Sequence, residues 1–489
     1  MRRESIASAL ALMLVSGCSL APPYHPPTLP VPAEYKEAAA GQLPGWTTAS
    51  PLDASARGTW WQAFNDPVLD DLEIRAEKAS PTLAAALARY DEARAQVGIA
   101  AASLVPEVDA EGQVSHNRVS AHAPGNIYGV PATVTDQLLE GTLSYEVDLW
   151  GRIRNTVKAA RANAQASDED LASARLSLQA SVADAYVRLR GLDARADLLR
   201  RTVEAYNRAY ELTQTRHSGG IAAGMDVSRA RSTLAAALAQ ISDVANQRAA
   251  TEHELAALVG AVTANFSVPP RLEAITLPPI PASQPSTLLQ RRPDIAAAER
   301  RLFAFNAQIG VARAALYPDI ALGLSGGWQT TGGALLTTPD SFWTLGPATV
   351  LQPILDGGRR RAQVRLSRAQ YDEAVADYRN TVLTAFRQVE DGLAALRDLS
   401  AEEVEQRDAA ESAKRTSDLS LVRYRDGAAD YLEVVTAQTQ ELTDEVALIE
   451  LQTQRLQSNI ALVLALGGEA DHPAGATPAG QTPLAQARR

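Results

Sequence analysis

The sequence predicts a mainly α protein with membrane β-strands, built from a duplicated helix–strand–strand–helix–helix unit. Three observations predict it. Motifs of the first half recur in the second at a spacing of about 207–212 residues. Long stretches carry apolar residues at a sustained heptad step, the mark of supercoiled helices. Between them lie short segments whose apolar residues alternate with polar ones, the period of a strand.

The chain opens with Arg2 and Arg3, then an apolar run from Ile6 to Val15 and the small residues Ser16 and Gly17 before Cys18. A basic start, a short apolar stretch and small residues at its end make a secretory signal over 1–17. The order apolar, small, small, Cys is that of a bacterial lipobox. Cys18 is then the lipidated first residue of the mature chain, which accounts for a sequence with one Cys. Ser19 rather than Asp behind it resembles outer-membrane sorting. Residues 18–66 are rich in Pro and Ala and are expected to form an extended, lipid-anchored segment.

The repeat places the remaining boundaries. Pro81-Thr82-Leu83-Ala84-Ala85-Ala86 realigns on Pro293-Asp294-Ile295-Ala296-Ala297-Ala298, and Gln96-Val97-Gly98-Ile99-Ala100 on Gln308-Ile309-Gly310-Val311-Ala312. Later, Arg216, Gly220 and Asp226-Val227 meet Arg423, Gly427 and Glu433-Val434. The first structural repeat spans 67–267, a Pro-rich linker 268–286, the second repeat 287–467, and a disordered tail 468–489.

Each repeat's first helix opens on a proline, Pro81 after a capping Ser80 and Pro293 after Arg292. Leu178, Val182, Ala185, Leu189, Leu192, Ala196, Leu199, Val203 and Tyr206 then step by four and three. Val375, Val382, Val389 and Leu396 keep the same period, as do Val435, Leu442, Ile449, Leu456 and Val463. A helix over 152–216 rises on the order of 100 Å at 1.5 Å per residue. Gly219-Gly220 and Gly427 reverse the chain, so two long antiparallel helical hairpins are expected.

Four segments read as strands. In 107–116, Val108, Ala110, Gly112 and Val114 alternate with Glu107, Asp109, Glu111 and Gln113. In 139–149, Leu139, Gly141, Leu143, Tyr145, Val147 and Leu149 alternate with acids and hydroxyls. The second repeat offers Ile320, Leu322, Leu324 and Trp328, then a more mixed strand over 342–355. Such alternation suits a membrane barrel with lipid outside and water inside. Four strands leave open edges, which lipid does not tolerate, so the barrel has to be shared between copies. The pattern alone does not choose the number of copies.

Composition removes other classes. Against 57 Asp+Glu stand 46 Lys+Arg, a net charge of −11, and no basic stripe for nucleic acid is evident. The six histidines are scattered singly and one Cys excludes a disulfide framework, so no metal site is expected. No nucleophile–His pair or phosphate loop points to an enzyme, and the only added group expected is the lipid on Cys18.

The motifs Trp60-Trp61-Gln62-Ala63-Phe64-Asn65-Asp66-Pro67, Arg291-Arg292-Pro293-Asp294-Ile295, Ile309-Gly310-Val311-Ala312 with Tyr317-Pro318, and Tyr24-His25-Pro26-Pro27 resemble a known family. The chain is similar to the outer-membrane factors of tripartite efflux pumps, the resistance–nodulation–division type lipoproteins of the TolC-like superfamily. The resemblance covers nearly the whole mature chain. It implies a homotrimer whose 12-stranded β-barrel continues into a 12-helix periplasmic α-barrel. It also implies an outer-membrane exit duct for small molecules such as drugs, partnered by a periplasmic adaptor and an inner-membrane transporter. A duct for type I secretion, or a lipid-anchored periplasmic coiled-coil scaffold, are the alternatives.

The resemblance also assigns roles at the hairpin tips. Tyr424 and Gly427 match the family's Tyr-x-x-Gly turn, and Asp226 and Arg231 its Asp-Val-x-x-x-Arg. A Tyr–Asp hydrogen bond between neighbouring helices would then latch an iris. Leu432 stands at an apolar gate position and Glu433 at an acidic ring. Thr436 stands where relatives place an Asp, which puts a second ring in doubt. Gly219, Gly220, Arg425, Gly427 and Asp430 belong to the turns that would meet the adaptor.

Overall fold

The duplicated helix–strand–strand–helix–helix unit is preserved in the computed structural model, with one further described helix at the start of the first repeat. Repeat one contributes α1 (Pro67–Ala79), α2 (Pro81–Ala102), β1 (Glu107–Val119), β2 (Ala132–Glu146), α3 (Arg152–Ser218) and α4 (Gly224–Leu258). Repeat two contributes α5 (Pro293–Ala314), β3 (Asp319–Thr331), β4 (Asp340–Leu351), α6 (Arg359–Arg425) and α7 (Tyr431–Ala465). Helices α3 and α6 have 67 residues each, α4 and α7 have 35, and α2 and α5 have 22. The structure describes residues 19–28, 35–37, 47–48, 59–122, 132–273, 275–278, 281–282, 291–331 and 340–468. The expected signal peptide, Cys18 and the tail from 469 onward lie outside the described residues.

Two compact units cut across the repeats, each drawing on both halves. The first comprises residues up to Thr28, Ala88–Glu169 and Ala297–Asn380. Its centre is one antiparallel sheet in the order β1-β2-β3-β4. The register builds rows across all four strands. Val108, Leu143, Leu324 and Leu345 form an apolar row, and the next row is Asp109, Thr142, Ser325 and Thr344. Val108, Leu324, Trp328, Trp343, Leu345 and Val350 stand exposed, so the apolar face has no cover within the chain. Gly327 is held by packing: a Cβ there would lie 2.0 Å from the Leu139 carbonyl oxygen on the neighbouring strand.

Several strand boundaries differ from the sequence expectation, β1 running on to Val119 and β4 starting at Asp340. β2 begins at Ala132, well before Leu139, and stops at Glu146. It stops because the next carboxylate serves the helix: Asp148 accepts from the Ile153 and Arg154 amides at 3.1 and 2.9 Å. That satisfies two of the amides a helix start leaves open. β4 ends at Leu351 instead of Leu355, since Pro353 has no amide for the ladder.

The second unit comprises Leu29–Leu87, Asp170–Ala296 and Thr381–Arg489. Its main core sets Trp60, Trp61, Phe64, Leu69 and Leu72 against Val182, Tyr186 and Leu189 of α3 and Leu255 of α4. Residues 18–66 are therefore not extended throughout: Trp60–Phe64 is a buried 3-10 turn. Two indoles and a phenyl ring supply enough apolar surface to fold this stretch against α3. Helix α1 was not foreseen, although Asp66-Pro67 is a start signal. Asp66 accepts from the Val68 amide at 2.9 Å and from the Tyr186 hydroxyl at 2.7 Å. The expected linker is docked at its beginning. Buried Asp193 accepts from Arg190 and Arg248, both at 2.7 Å, and these arginines donate to the carbonyls of Pro269 and Val268. The heptad residues of α3, α6 and α7 named above are buried or half-buried.

Candidate functional site: the helical returns

The two returns, α3 to α4 and α6 to α7, repeat one backbone solution. Gly220 and Gly427 sit at φ of 75° and 78°, the left-handed region that a side chain disfavours. Behind them, the Ile221 and Ala222 amides donate to the Arg216 carbonyl at 2.8 and 3.2 Å, and the Ala428 amide to the Arg423 carbonyl at 2.8 Å. This satisfies carbonyls that end without a helical partner. Gly219 donates to the Thr215 carbonyl at 3.1 Å and needs no special φ.

The following helices start differently. Asp226, in the first turn of α4, reaches back and accepts from the Ala223 amide at 3.3 Å, with the Arg229 guanidinium at 3.8 Å. Asp430 caps α7 by accepting from the Glu433 amide at 3.0 Å. Glu433 pairs with Arg423 at 2.5 Å across its own return. Its charge is thus met by a cation of the same hairpin. Thr436 donates to the Leu432 carbonyl at 2.8 Å, Leu432 is half exposed, and Arg231 and Arg425 are exposed.

Tyr424 is buried, 4% exposed, and its ring meets Tyr431 edge-on at 5.3 Å. Its hydroxyl donates to Thr213 Oγ1 of α3 at 3.5 Å, a weak bond. The Thr213 hydroxyl itself donates to the Ala209 carbonyl at 2.8 Å. Within one chain Tyr424 and Asp226 are not bonded to each other. The Tyr431 phenol is pushed up to about 12, first by burial, then by Tyr424 and Asp226.

Arg216 breaks the symmetry of the two returns. Its counterpart Arg423 pairs within its own hairpin, whereas Arg216 reaches the other one. It donates to the Tyr424 and Arg425 carbonyls at 2.7 and 3.2 Å, and its guanidinium lies 4.7 Å from the centre of the Tyr424 ring. A cation at the C-terminus of α6 also suits the helix dipole. Arg216, Thr213, Tyr431 and Arg423 were not singled out as site residues. The one signal was the recurrence of Arg216 as Arg423 in the repeat. Among the described residues no group of His, Cys, Asp and Glu could hold a metal.

An exposed apolar sheet continuous with long helices, and paired helical returns closed by glycines and ion pairs, define a membrane channel with a helical extension. Residues 74–261 and 284–468 match the family described as Outer membrane efflux protein. The chain belongs to that family. It is 34% identical over 472 residues to the probable efflux pump outer membrane protein TtgC of Pseudomonas putida, covering 96% of each. It is 35% identical over 467 residues to the outer membrane protein OprJ of Pseudomonas aeruginosa, covering 94% of this chain and 95% of that protein. Among solved structures, the outer-membrane channel OprN superposes with a TM-score of 0.84 at 28% identity, over 92% of this chain and 99% of that one. The CmeC outer membrane channel of Campylobacter jejuni gives 0.86 at 26% identity, over 92% and 95%. The protein is an outer-membrane efflux channel of the TolC-like fold.

Proposed function

We propose that three copies of this chain form one duct through the outer membrane, with a twelve-stranded barrel and a periplasmic tunnel of helices. The exposed edges of the sheet carry this reading. β1 and β4 each have a strand neighbour on one side only, and unpaired backbone groups cannot face lipid. Closing the barrel requires other copies, and three is the number the family resemblance implies. Cys18 carries the lipid that anchors the duct. The returns form the periplasmic gate, with Leu432 and Glu433 at its narrow part and Tyr424 in its packed support. A periplasmic adaptor meets the tips, and an inner-membrane transporter selects and drives the cargo. The cargo class is small organic molecules, in keeping with relatives named for antibiotic, toluene and pyoverdine export.

Native mass spectrometry of the detergent-solubilised chain should read three copies, and planar bilayers should show single-channel conductance. A protein that stays monomeric, or that never conducts even after the returns are loosened, would fit a periplasmic scaffold and sink the duct.

A further inference from the structure

Where the sheet hands the chain to α3 and α6, both helices carry cations at equivalent positions of the repeat. These are Arg154, Lys158 and Arg161 on α3, and Arg361, Arg365 and Arg368 on α6. Steps of four and three put each trio on one helix face. Among the described residues, Lys158, Arg161, Arg361, Arg365 and Arg368 are exposed and have no ion-pair partner. Of the acids at this level, Glu146 is engaged by Arg152, Asp148 by Arg154 and Asp356 by Arg360, while Glu107 and Asp319 at the strand starts stand exposed. In a chain of net charge −11 this is a concentrated positive surface.

The N-terminal strap tells which way it faces. Ser19–Thr28 lies along one face of α5. Arg313 donates to the Leu20 carbonyl at 3.2 Å and Asn306 to the Pro22 carbonyl at 3.0 Å. The Tyr24 hydroxyl donates to Glu299 at 3.3 Å, and its ring meets Phe303 at 5.1 Å. About a quarter turn round α5 from that face, at 100° per residue, Ala304 and Ala307 pack on Ala159 and Ala162 of α3. α5 runs toward the sheet and α3 away from it, so their residues advance in opposite senses. A quarter turn from Ala159 and Ala162 toward the strap side therefore reaches Arg154, Lys158 and Arg161. On α6, buried Val364, Ser367 and Tyr378 share one face, and Glu299 of α5 acts on the Tyr378 phenol, which turns that face toward α5. The same construction turns Arg361, Arg365 and Arg368 to the strap side.

The strap also sets the height. The Ser19 hydroxyl donates to Asn155 Oδ1 at 3.0 Å, so the described start of the strap lies level with the first turn of α3. On the lipid-anchor reading, the lipidated residue adjoins this end of the strap in sequence. Trp150 stacks on Tyr317 at 4.7 Å close by, an aromatic pair suited to a membrane interface.

We propose that these two stripes bind the phosphate groups of anionic phospholipids in the periplasmic leaflet, beside the lipid anchor. Guanidinium forks match phosphate oxygens in charge and geometry. The cations surround the strap, so headgroup binding and anchoring act on one surface. Only the height of the stripes rests on the anchor; their charge and facing do not.

The test uses the full chain reconstituted in mixed phosphatidylcholine and phosphatidylglycerol, then delipidated stepwise and weighed by native mass spectrometry. Wild type is expected to retain phosphatidylglycerol in preference. Lys158→Gln, Arg161→Gln, Arg361→Gln, Arg365→Gln and Arg368→Gln together should lower the retained phosphatidylglycerol about fivefold, consistent with the screened attraction of basic groups to anionic lipid. The variant leaves Arg154 with Asp148 intact, and one with Lys at the four arginine positions should restore the preference. High salt should weaken the preference in wild type, a readout that holds even if the Gln variant misfolds. Equal retention of both lipids by wild type, or an undiminished preference in the Gln variant, overturns the proposal. So does a changed ion selectivity with lipid retention unaltered, which would turn the stripes to the lumen. The intact mass reports acylation separately: an unacylated chain that still selects phosphatidylglycerol would refute the anchor and leave the lipid surface standing.

Discussion

Glu73 is the least accommodated side chain among the described residues. It is 1% exposed, and neither carboxylate oxygen has a hydrogen-bond partner. Burial, then Glu77 and Asp70, pushes its carboxyl up to about 9, so it is protonated near neutrality. The folded state binds this proton more tightly than the unfolded chain. The stability it confers is complete below the ordinary carboxylate range and is lost as pH rises toward 9. Between about pH 6 and pH 8 the slope contributed by this one proton is up to about 1.4 kcal/mol per pH unit. Glu73→Gln should flatten that slope in thermal melts, and equal slopes would contradict the assignment. Gly327 gives a second residue-scale expectation. Gly327→Val has no room beside Leu139 and should lower the yield of membrane-inserted protein in fractionation. Sequence reading found neither: alternation marks Gly327 only as a strand position, and burial of one acid among many depends on packing.

At the scale of elements, the returns were legible and their wiring was not. Gly220 and Gly427 announce reversals because few residues accept their φ. Asp226 and Tyr424 were expected to be bonded, yet in one chain Asp226 serves the start of its own helix and Tyr424 faces Thr213. Arg216 adds a charged cross-hairpin contact, donating to two carbonyls at the end of α6. Arg216→Ala should loosen the two returns and raise single-channel conductance several-fold, with little change in melting temperature. Tyr424→Phe removes only a 3.5 Å bond and should leave conductance nearly unchanged. If Tyr424→Phe with Asp226→Ala opened the channel while Arg216→Ala did not, the gate would depend on contacts between copies instead. Glu433 belongs to the same lesson. The family resemblance assigned Glu433 to an acidic ring, and within one chain Arg423, ten positions earlier in the same hairpin, pairs with it. Charge pairing across a turn follows from the turn's geometry, which composition does not contain.

For the whole molecule, the sheet's two faces decide how the chain meets its surroundings. The row Val108, Leu143, Leu324 and Leu345 is apolar, and the neighbouring row of Asp109, Thr142, Ser325 and Thr344 is polar. Leu345→Arg should impede membrane insertion, at about 2–4 kcal/mol near the bilayer midplane. Thr344→Arg, on the water face, should insert and instead alter conductance. Comparable insertion and conductance in both variants would reverse the assignment of faces. No described helix is long and apolar enough to cross a membrane, and a shared barrel needs none, because alternation halves the apparent hydrophobicity of each strand.

The sequence by itself determined the duplication, the element types and the two-faced strands, because each is written in a local period of 2 or 3.5 residues or in a repeat spacing. It also determined the turns, where backbone sterics select glycine. Only the tertiary structure decided that Trp60–Phe64 is core, that Asp193 fastens the start of the linker, that Arg216 crosses to the second hairpin, and that the cations of α3 and α6 share the side of the strap. Each of those depends on which distant segments come within a few ångströms of one another. Local pattern states what a residue can do, and packing chooses its partner.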